Sequence, residues 1–516
     1  MKRNMFWRPV FVISCLALAI AISGCSVANK KAAEESTTAT ESHKLVVDLG
    51  TEPSTLDPGL QYNTDSYAVY RNIFDSLLTR DPKTLEIKPG VAESWKADSP
   101  TSWTFKIREN IVFHNGEKLT AEDVVFSIER ILNKDFRSPQ LANFSMITSA
   151  KASGNSVVIL TKEPSPTLLT QLVNLSIVPM KYVKEKGDEQ FNLQPVGSGA
   201  YKFTEWTKGI RVSLTANDTY WGGKPNLAGA EFRFVPTPAS RVADLQSGKA
   251  DVILAVSPDD VETIKANADS QVLSTLTERV AYLGFNVLGD SPTKSSKVNQ
   301  AIAYGINYDA MISSLLHGYG ESVTQVLTPF SFGYDKSIKG YKYDPEKSKA
   351  LLKEAGYPDG VTLVFDTSPA YDQRIVQSIQ GDLEKVGIKI TIASTDQATY
   401  LKKVQDPAHK WGSIRFGIWS CSCMDADGTI YPLFRTGTIW NSYSNPVFDQ
   451  AVDAARATTN VDERTALYKK ALEVLNEDVP GIGLYQTKAI YGASKKLQWQ
   501  PDAQESFLLK DMKWIK

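Results

Sequence analysis

Apolar residues along this chain follow two spacings, one of three and four residues and one of two. The first puts a single stripe on a helix, and the second puts alternate side chains on one face of a strand. Val124, Val125, Ile128, Ile131 and Leu132 keep the helical spacing directly behind Thr120-Ala121-Glu122-Asp123. Thr followed three residues later by an acid can close a capping box, so this segment predicts a helix start. Thr237-Pro238 predicts another, because proline fits the first turn, where its missing N–H is not needed, and Gly248 predicts its end. Asp344-Pro345 and Gly356 bracket a third helix, and Gln373 to Val386 a fourth, stopped by Gly387. Ala250 to Val256 predicts a strand, as does the alternation of Ile388, Ile390 and Ile392. Residues 85–113 carry Trp95, Trp103, Phe105, Ile107 and Phe113 among turn residues, the pattern of short antiparallel strands. Helix followed by strand, repeated, predicts α/β layers with open, partly parallel sheets. A length of 516 residues is enough for about three domain-sized units.

The N-terminus changes the picture. Lys2, Arg3 and Arg8 precede an almost unbroken apolar stretch from Pro9 to Ile22, shorter than the roughly 20 residues of a membrane span. Ile22-Ser23-Gly24-Cys25 then closes it, and this resembles the lipobox of bacterial lipoproteins. The resemblance implies that residues 1–24 are a removed leader and that Cys25 is lipidated. An ordinary cleaved signal with an incidental cysteine, or an uncleaved anchor, are the competing readings. Residues 25–43, rich in small and polar side chains, predict a flexible tether. No later segment is long and apolar enough to cross a bilayer, so the body is expected in the periplasm or on the outer face of the cell membrane, held by its lipid.

Charge and motifs narrow the chemistry. With 57 basic and 58 acidic residues, the chain offers no electrostatic reason to bind nucleic acid. It holds no GxxxxGK[ST] phosphate loop, no GxSxG elbow and no HExxH pair, so neither ATP hydrolysis nor a familiar hydrolase is signalled. Four cysteines and four histidines stand without zinc spacing, and neither metal nor cofactor is expected.

Several motifs then occur in a characteristic order. They are Gly90-Val-Ala-Glu-Ser-Trp95, Trp103-Thr-Phe105-Lys-Ile-Arg108, Phe113-His-Asn-Gly116, Leu119-Thr-Ala-Glu-Asp-Val-Val-Phe-Ser127, Gly197-Ser-Gly-Ala-Tyr201 with Trp206, Ser247-Gly-Lys-Ala-Asp251, Tyr282-Leu-Gly-Phe-Asn286, Leu352-Lys-Glu-Ala-Gly-Tyr357 and Leu383-Glu-Lys-Val-Gly-Ile388. Together they resemble the family 5 extracellular solute-binding proteins, the peptide and nickel class of bacterial ABC importers. The resemblance implies an α/β, two-lobed periplasmic-binding-protein type II fold with an extra α+β domain inserted in lobe one. Lobe one would take residues 44–62, 196–287 and 486–516, the inserted domain 63–195 and lobe two 288–485. It implies a monomer that captures a short peptide or peptide-like solute between the lobes and passes it to permease and ATPase subunits. A non-peptide solute (opine-like conjugate, sugar derivative or metal chelate), a sensory role for the same fold and a secreted hydrolase remain as alternatives.

The cleft loop of that family resembles Phe416-Gly-Ile-Trp419-Ser420-Cys421-Ser422-Cys423-Met-Asp425-Ala-Asp427-Gly428. In amine-binding members an Asp three positions after the Trp pairs with the peptide ammonium; here that position is Ser422. Asp425 or Asp427 could supply the charge instead, or could serve only the turn before Gly428. Cys421 and Cys423 could be free thiols or oxidised, since a disulfide across one residue would be strained. Tyr62, Phe285, Asn286, Arg435, Trp440 and Asn441 are further candidates for ligand contact, with packing or solvation as the plain alternative for each.

Overall fold

The computed structural model describes residues 43–61 and 64–515; the leader, Cys25, the tether as far as residue 42 and Tyr62 lie outside the described residues. Local chemistry sets the helices where the sequence predicts them. Helix Ala121–Leu132 opens on the capping box, with the Thr120 N–H donating to Asp123 Oδ2 at 2.8 Å. Its stripe of Val124, Ile128 and Ile131 is buried. Helix Pro345–Glu354 is capped by Asp344, which accepts from the Lys347 N–H at 2.9 Å, and Gly356 ends it with φ 91°. Helix Gln373–Glu384 ends the same way at Gly387, φ 88°. The strand behind it, Ile388–Ser394, buries Ile388 and Ile390 and exposes Lys389 and Thr391, as a period of two requires.

One expected element is shorter. Of Ala250 to Val256 only Val252–Ile253 pairs as strand. Ala255 adopts φ 53°, a left-handed conformation that turns the chain out of the ladder, and its carbonyl accepts instead from Arg241 at 3.1 Å.

Among the described residues the main sheet has eleven strands, ten in a row and an eleventh, Gly320–Ser322, paired off that row with Gly481–Ser494. Its middle is a long antiparallel pair, Ser270–Phe285 and Gly481–Ser494. On one side lie Val252–Ile253, Leu45–Leu49, Gly229–Phe234, Arg211–Ala216 and Tyr201–Thr207, in that order; on the other lie Ile414–Trp419, Val361–Thr367 and Ile388–Ser394. Parallel pairs, such as Leu45–Leu49 with Gly229–Phe234, mix with antiparallel ones. Two separate cores flank the long pair. The first gathers Leu45, Val47, Tyr201, Phe232 and Phe507; the second gathers Leu283, Phe285, Phe365, Ile379 and Phe416. We refer to these as the first and second halves. Beside the first half, a four-stranded antiparallel sheet, Ala92–Ser99, Ser102–Ile107, Ser156–Thr161 and Ile147–Ser153, packs Phe105, Ile107, Val157 and Ile159 against helix Ala121–Leu132 in a core of its own. No helix among the described residues is long and apolar enough to cross a membrane.

The long pair is not regular. Leu276 faces Lys488 and Val280 faces Gln486, so Thr277, Glu278 and Arg279 stand opposite Thr487 alone. Such an irregularity re-aims side chains out of the pleat. It lies where the pairing passes from the first half to the second.

Gly197 and Gly199 show why that segment is rich in glycine. A Cβ on Gly197 would collide with the carbonyl of Ile73, and the Gly199 N–H donates to that same carbonyl at 2.8 Å. Gly197→Ala is expected to destabilise the protein by about 1–3 kcal/mol through this overlap, read as a lower denaturant midpoint at unchanged slope.

Candidate functional site

Strand Ile414–Trp419 runs beside Ser270–Phe285, with Trp419 facing Val280. The loop that follows is strongly tied. The Trp419 Nε1–H donates to the Gly428 carbonyl at 2.8 Å, and its ring meets Trp440 edge-on at 5.5 Å. Cys421 and Cys423 are joined as a disulfide, which decides between the oxidation states that spacing alone leaves open. Gly428 makes this possible, because a Cβ there would strike both sulfurs. Ser420 is exposed, whereas Ser422 is buried.

Most of the other expected ligand contacts are turned toward partners within the second half. Asp425 accepts from Arg464 Nη1 and Nη2, both at 2.7 Å, and caps the Asp427 N–H at 2.9 Å. Its carboxylate is therefore neutralised and not a ready counter-ion for a ligand amine. Asp427 pairs with Arg456 at 3.0 Å, and burial, reinforced by Asp425, pushes its pKa up to about 6. Arg435 reaches Asp453 at 3.0 Å. Asn441 donates to the Arg435 carbonyl at 2.9 Å, and the Trp440 carbonyl accepts from Arg415 at 2.8 Å. Phe285 is wholly inside the second core. Asn286 donates to the carbonyls of His409 and Trp411, both at 2.9 Å, and accepts from the Gly289 N–H at 2.8 Å. The plain alternative, packing and loop bracing, accounts for the geometry of these side chains.

Ser422 is different, because its contacts leave the second half for Asn174 and Arg80, which lie beside Leu172, Leu175 and Leu78 of the core under the four-stranded sheet. Its Oγ accepts from Asn174 Nδ2 at 2.9 Å and its carbonyl from Arg80 Nη2 at 3.3 Å. Asn174 in turn accepts from Arg71 Nη2 at 3.0 Å, and Arg71 donates to Ser506 Oγ at 3.2 Å while lying 3.9 Å over the Tyr67 ring. Arg279 is held by Glu505 at 2.8 Å.

Glu278 completes the group. Its Oε2 is buried with no hydrogen-bond partner among the described residues, and Arg80 Nε is likewise unpartnered. Burial pushes the Glu278 pKa from 4.5 up to about 7; Arg279, Arg71 and Arg80 counter this, and Glu505 adds to it. Burial also pulls the Arg80 guanidinium below its ordinary value, with Glu278 opposing. Three guanidinium groups and one carboxylate with an unused oxygen can hold an anion and a cation side by side.

Two spaces adjoin the arginines of this group, one beside Arg71 and Arg80 and one beside Arg80 alone. A cavity of 320 Å3 is lined by Arg71, Arg80, Asp502, Gln504, Ser506 and Lys510. A groove of 690 Å3 has Arg80, Leu85 and Trp103 on one side and Phe332, Met424 and Arg464 on the other. Arg80 lines both.

Sequence reasoning missed Arg71, Arg80, Asn174, Glu278, Arg279 and Glu505. One signal was present, the charged Glu278-Arg279 interrupting an otherwise strand-like run from Val272 to Phe285. Nothing local marks the others, which meet only through the fold.

Two measurements check these assignments. Asp425 and Arg464 are 4% and 6% exposed, so Arg464→Met strands a buried carboxylate and is expected to cost about 3–5 kcal/mol in chemical denaturation. Glu278 gives a pH test. Its carboxyl holds the proton more tightly in the folded chain than in the unfolded one, so ionisation opposes folding. This cost is absent below about pH 4.5 and complete above about pH 7. Glu278→Gln is therefore expected to gain stability over the native chain by about 2–3 kcal/mol between about pH 5 and about pH 8. A difference in thermal midpoint that stays flat with pH would contradict the assignment.

Residues 86–441 match the model of the bacterial extracellular solute-binding proteins, family 5 middle region. Heme-binding protein A of Haemophilus influenzae is 29% identical over 91% of this chain and 92% of its own. The dipeptide-binding protein of Escherichia coli is 28% identical over 84% and 86%. The structure of the ABC transporter-associated periplasmic binding protein DppA of Helicobacter pylori, in complex with the peptide STSA, superposes with a TM-score of 0.77 at 26% identity, covering 92% of this chain and 98% of that one. With its mixed α/β sheet, two cores and matching motifs, this chain belongs to the family 5 bacterial extracellular solute-binding proteins and has their type II periplasmic binding-protein fold.

Proposed function

We propose that the chain captures a short peptide, or a peptide-like zwitterion, between its two halves and hands it unchanged to the permease and ATPase subunits of an importer. The observation that carries this reading is the group at the irregular crossing: Glu278 with an unpartnered oxygen, close to Arg71, Arg80 and Arg279. A peptide offers one carboxylate and one ammonium, and this group offers the complement of each. Glu278 takes the place that the family's Asp would fill, since Ser422 stands at that position. Closure follows from contact with both halves, because only a ligand that binds the closed form better shifts the balance toward it. Relatives named for dipeptide binding, and a peptide-bound structural neighbour, support the ligand class.

In this reading residues 44–62, 196–287 and 486–516 form one lobe, 63–195 a domain inserted in it and 288–485 the other lobe. Trp419 and the Cys421–Cys423 loop form the second lobe's wall of the cleft. A lipid on Cys25 keeps the monomer at the outer face of the membrane, and the chain catalyses no reaction.

Mass spectrometry of small molecules released by denaturing the purified protein is expected to identify a peptide or peptide-like zwitterion in one-to-one amount. Calorimetry with that molecule is expected to show a loss of about 10–100-fold in affinity for Arg80→Gln and for Glu278→Gln, the worth of one buried charge-assisted hydrogen bond. Native affinity in both variants, or a bound molecule that is turned over chemically, would remove the reading.

A further inference from the structure

Ser422 is enclosed by the two cysteines that form the disulfide, and it carries the loop's contacts to Asn174 and Arg80. These two facts bear on each other. A disulfide between positions 421 and 423 leaves the backbone of the residue between them little freedom, so Ser422 is presented in one posture. The surroundings hold that posture from outside. The Met424 N–H donates to the Cys421 carbonyl at 2.8 Å, and Met424 turns the chain with φ 51°. The sulfurs rest against Gly428, whose carbonyl is tied to Trp419.

What Ser422 touches is the charged group of the site. Its carbonyl accepts from Arg80, and its hydroxyl accepts from Asn174, whose own side-chain oxygen accepts from Arg71. A serine orients both guanidinium groups through neutral acceptors and leaves their charge uncancelled. A carboxylate at the same place would pair with them and compete with an anionic ligand.

We propose that Ser422 is a positioning residue that latches the second half onto Asn174 and Arg80, and that the Cys421–Cys423 disulfide is the brace that holds the latch in place. The latch orients Arg71 and Arg80 toward the carboxylate of the solute without neutralising them. This deepens the capture reading and rests on it for the role of the two arginines. The contact between Ser422 and Asn174 is testable without any ligand.

The test is hydrogen exchange on the full chain, followed by stopped-flow binding of trialanine as a plain zwitterionic probe. In Cys421→Ser/Cys423→Ser, amides at 172–176 and 421–424 are expected to exchange about tenfold faster, with strand Ser270–Phe285 unchanged. Dithiothreitol added to the folded native chain is expected to do the same, since it opens the disulfide to two thiols as it closes its own ring. Ser422→Ala is expected to loosen 172–176 and to raise the trialanine off-rate about tenfold with little change in on-rate, while Ser422→Thr restores both. Unchanged exchange at 172–176 after loss of the disulfide, or in Ser422→Ala, overturns the latch. If exchange responds while trialanine does not bind, the latch stands and the peptide reading of the cleft fails.

Discussion

Two carboxylates, Glu278 and Glu505, and three guanidinium groups converge where the strands Ser270–Phe285 and Gly481–Ser494 lose their register, and the site depends on how these charges are partnered. Charged groups at such a place are expensive unless each finds a partner. Arg279 has Glu505, and Arg71 has Ser506 and Asn174. Glu278 Oε2 and Arg80 Nε have none among the described residues. The fold therefore holds unspent electrostatic capacity at its centre. A molecule carrying both signs of charge would discharge it from either side, which is a stronger constraint on the ligand than the size of the adjoining cavity.

The cores on either side explain how this cost is borne. Phe232, Tyr201 and Phe507 pack in the first half, and Phe285, Phe365 and Phe416 in the second, each as a closed apolar cluster. Neither cluster includes the charged crossing. The ion pairs deeper in the second half, above all Asp425 with Arg464, are saturated and serve to shape the loop that carries the disulfide. The saturated Asp425–Arg464 pair still lines the groove, and of the unsaturated groups Arg80 is the one that lines both spaces.

Much of the fold was legible in the chain because its signals are local. The Thr120 capping box, the proline at position 238 and the glycines at 356 and 387 each act within one turn of themselves, and the helices begin and end there. The strand predicted over Ala250 to Val256 is longer than the one formed, because its hydrophobicity is real while its length is cut by the backbone of Ala255. The site was far less legible. The loop from Trp419 to Gly428 could be located, yet whether Asp425 faced solvent, ligand or Arg464 depends on a residue 39 positions away. Along the chain Ser422 marks only the absence of a carboxylate. Its meaning comes from Asn174 and Arg80, 248 and 342 positions upstream. Separations of that size carry no periodic trace in a sequence.

That two ribbons rather than one run through both halves has a mechanical consequence. A single linker would let the halves twist and slide as well as swing. A hydrogen-bonded pair resists shear along its length, so the soft motion left is a flexing of both ribbons at one level, like the spine of a book. The level with fewest ladder bonds is at Thr277 to Arg279 opposite Thr487. Glu278 and Arg279 thus ride on the crease itself, and any swing of the halves must reorient both of these charges.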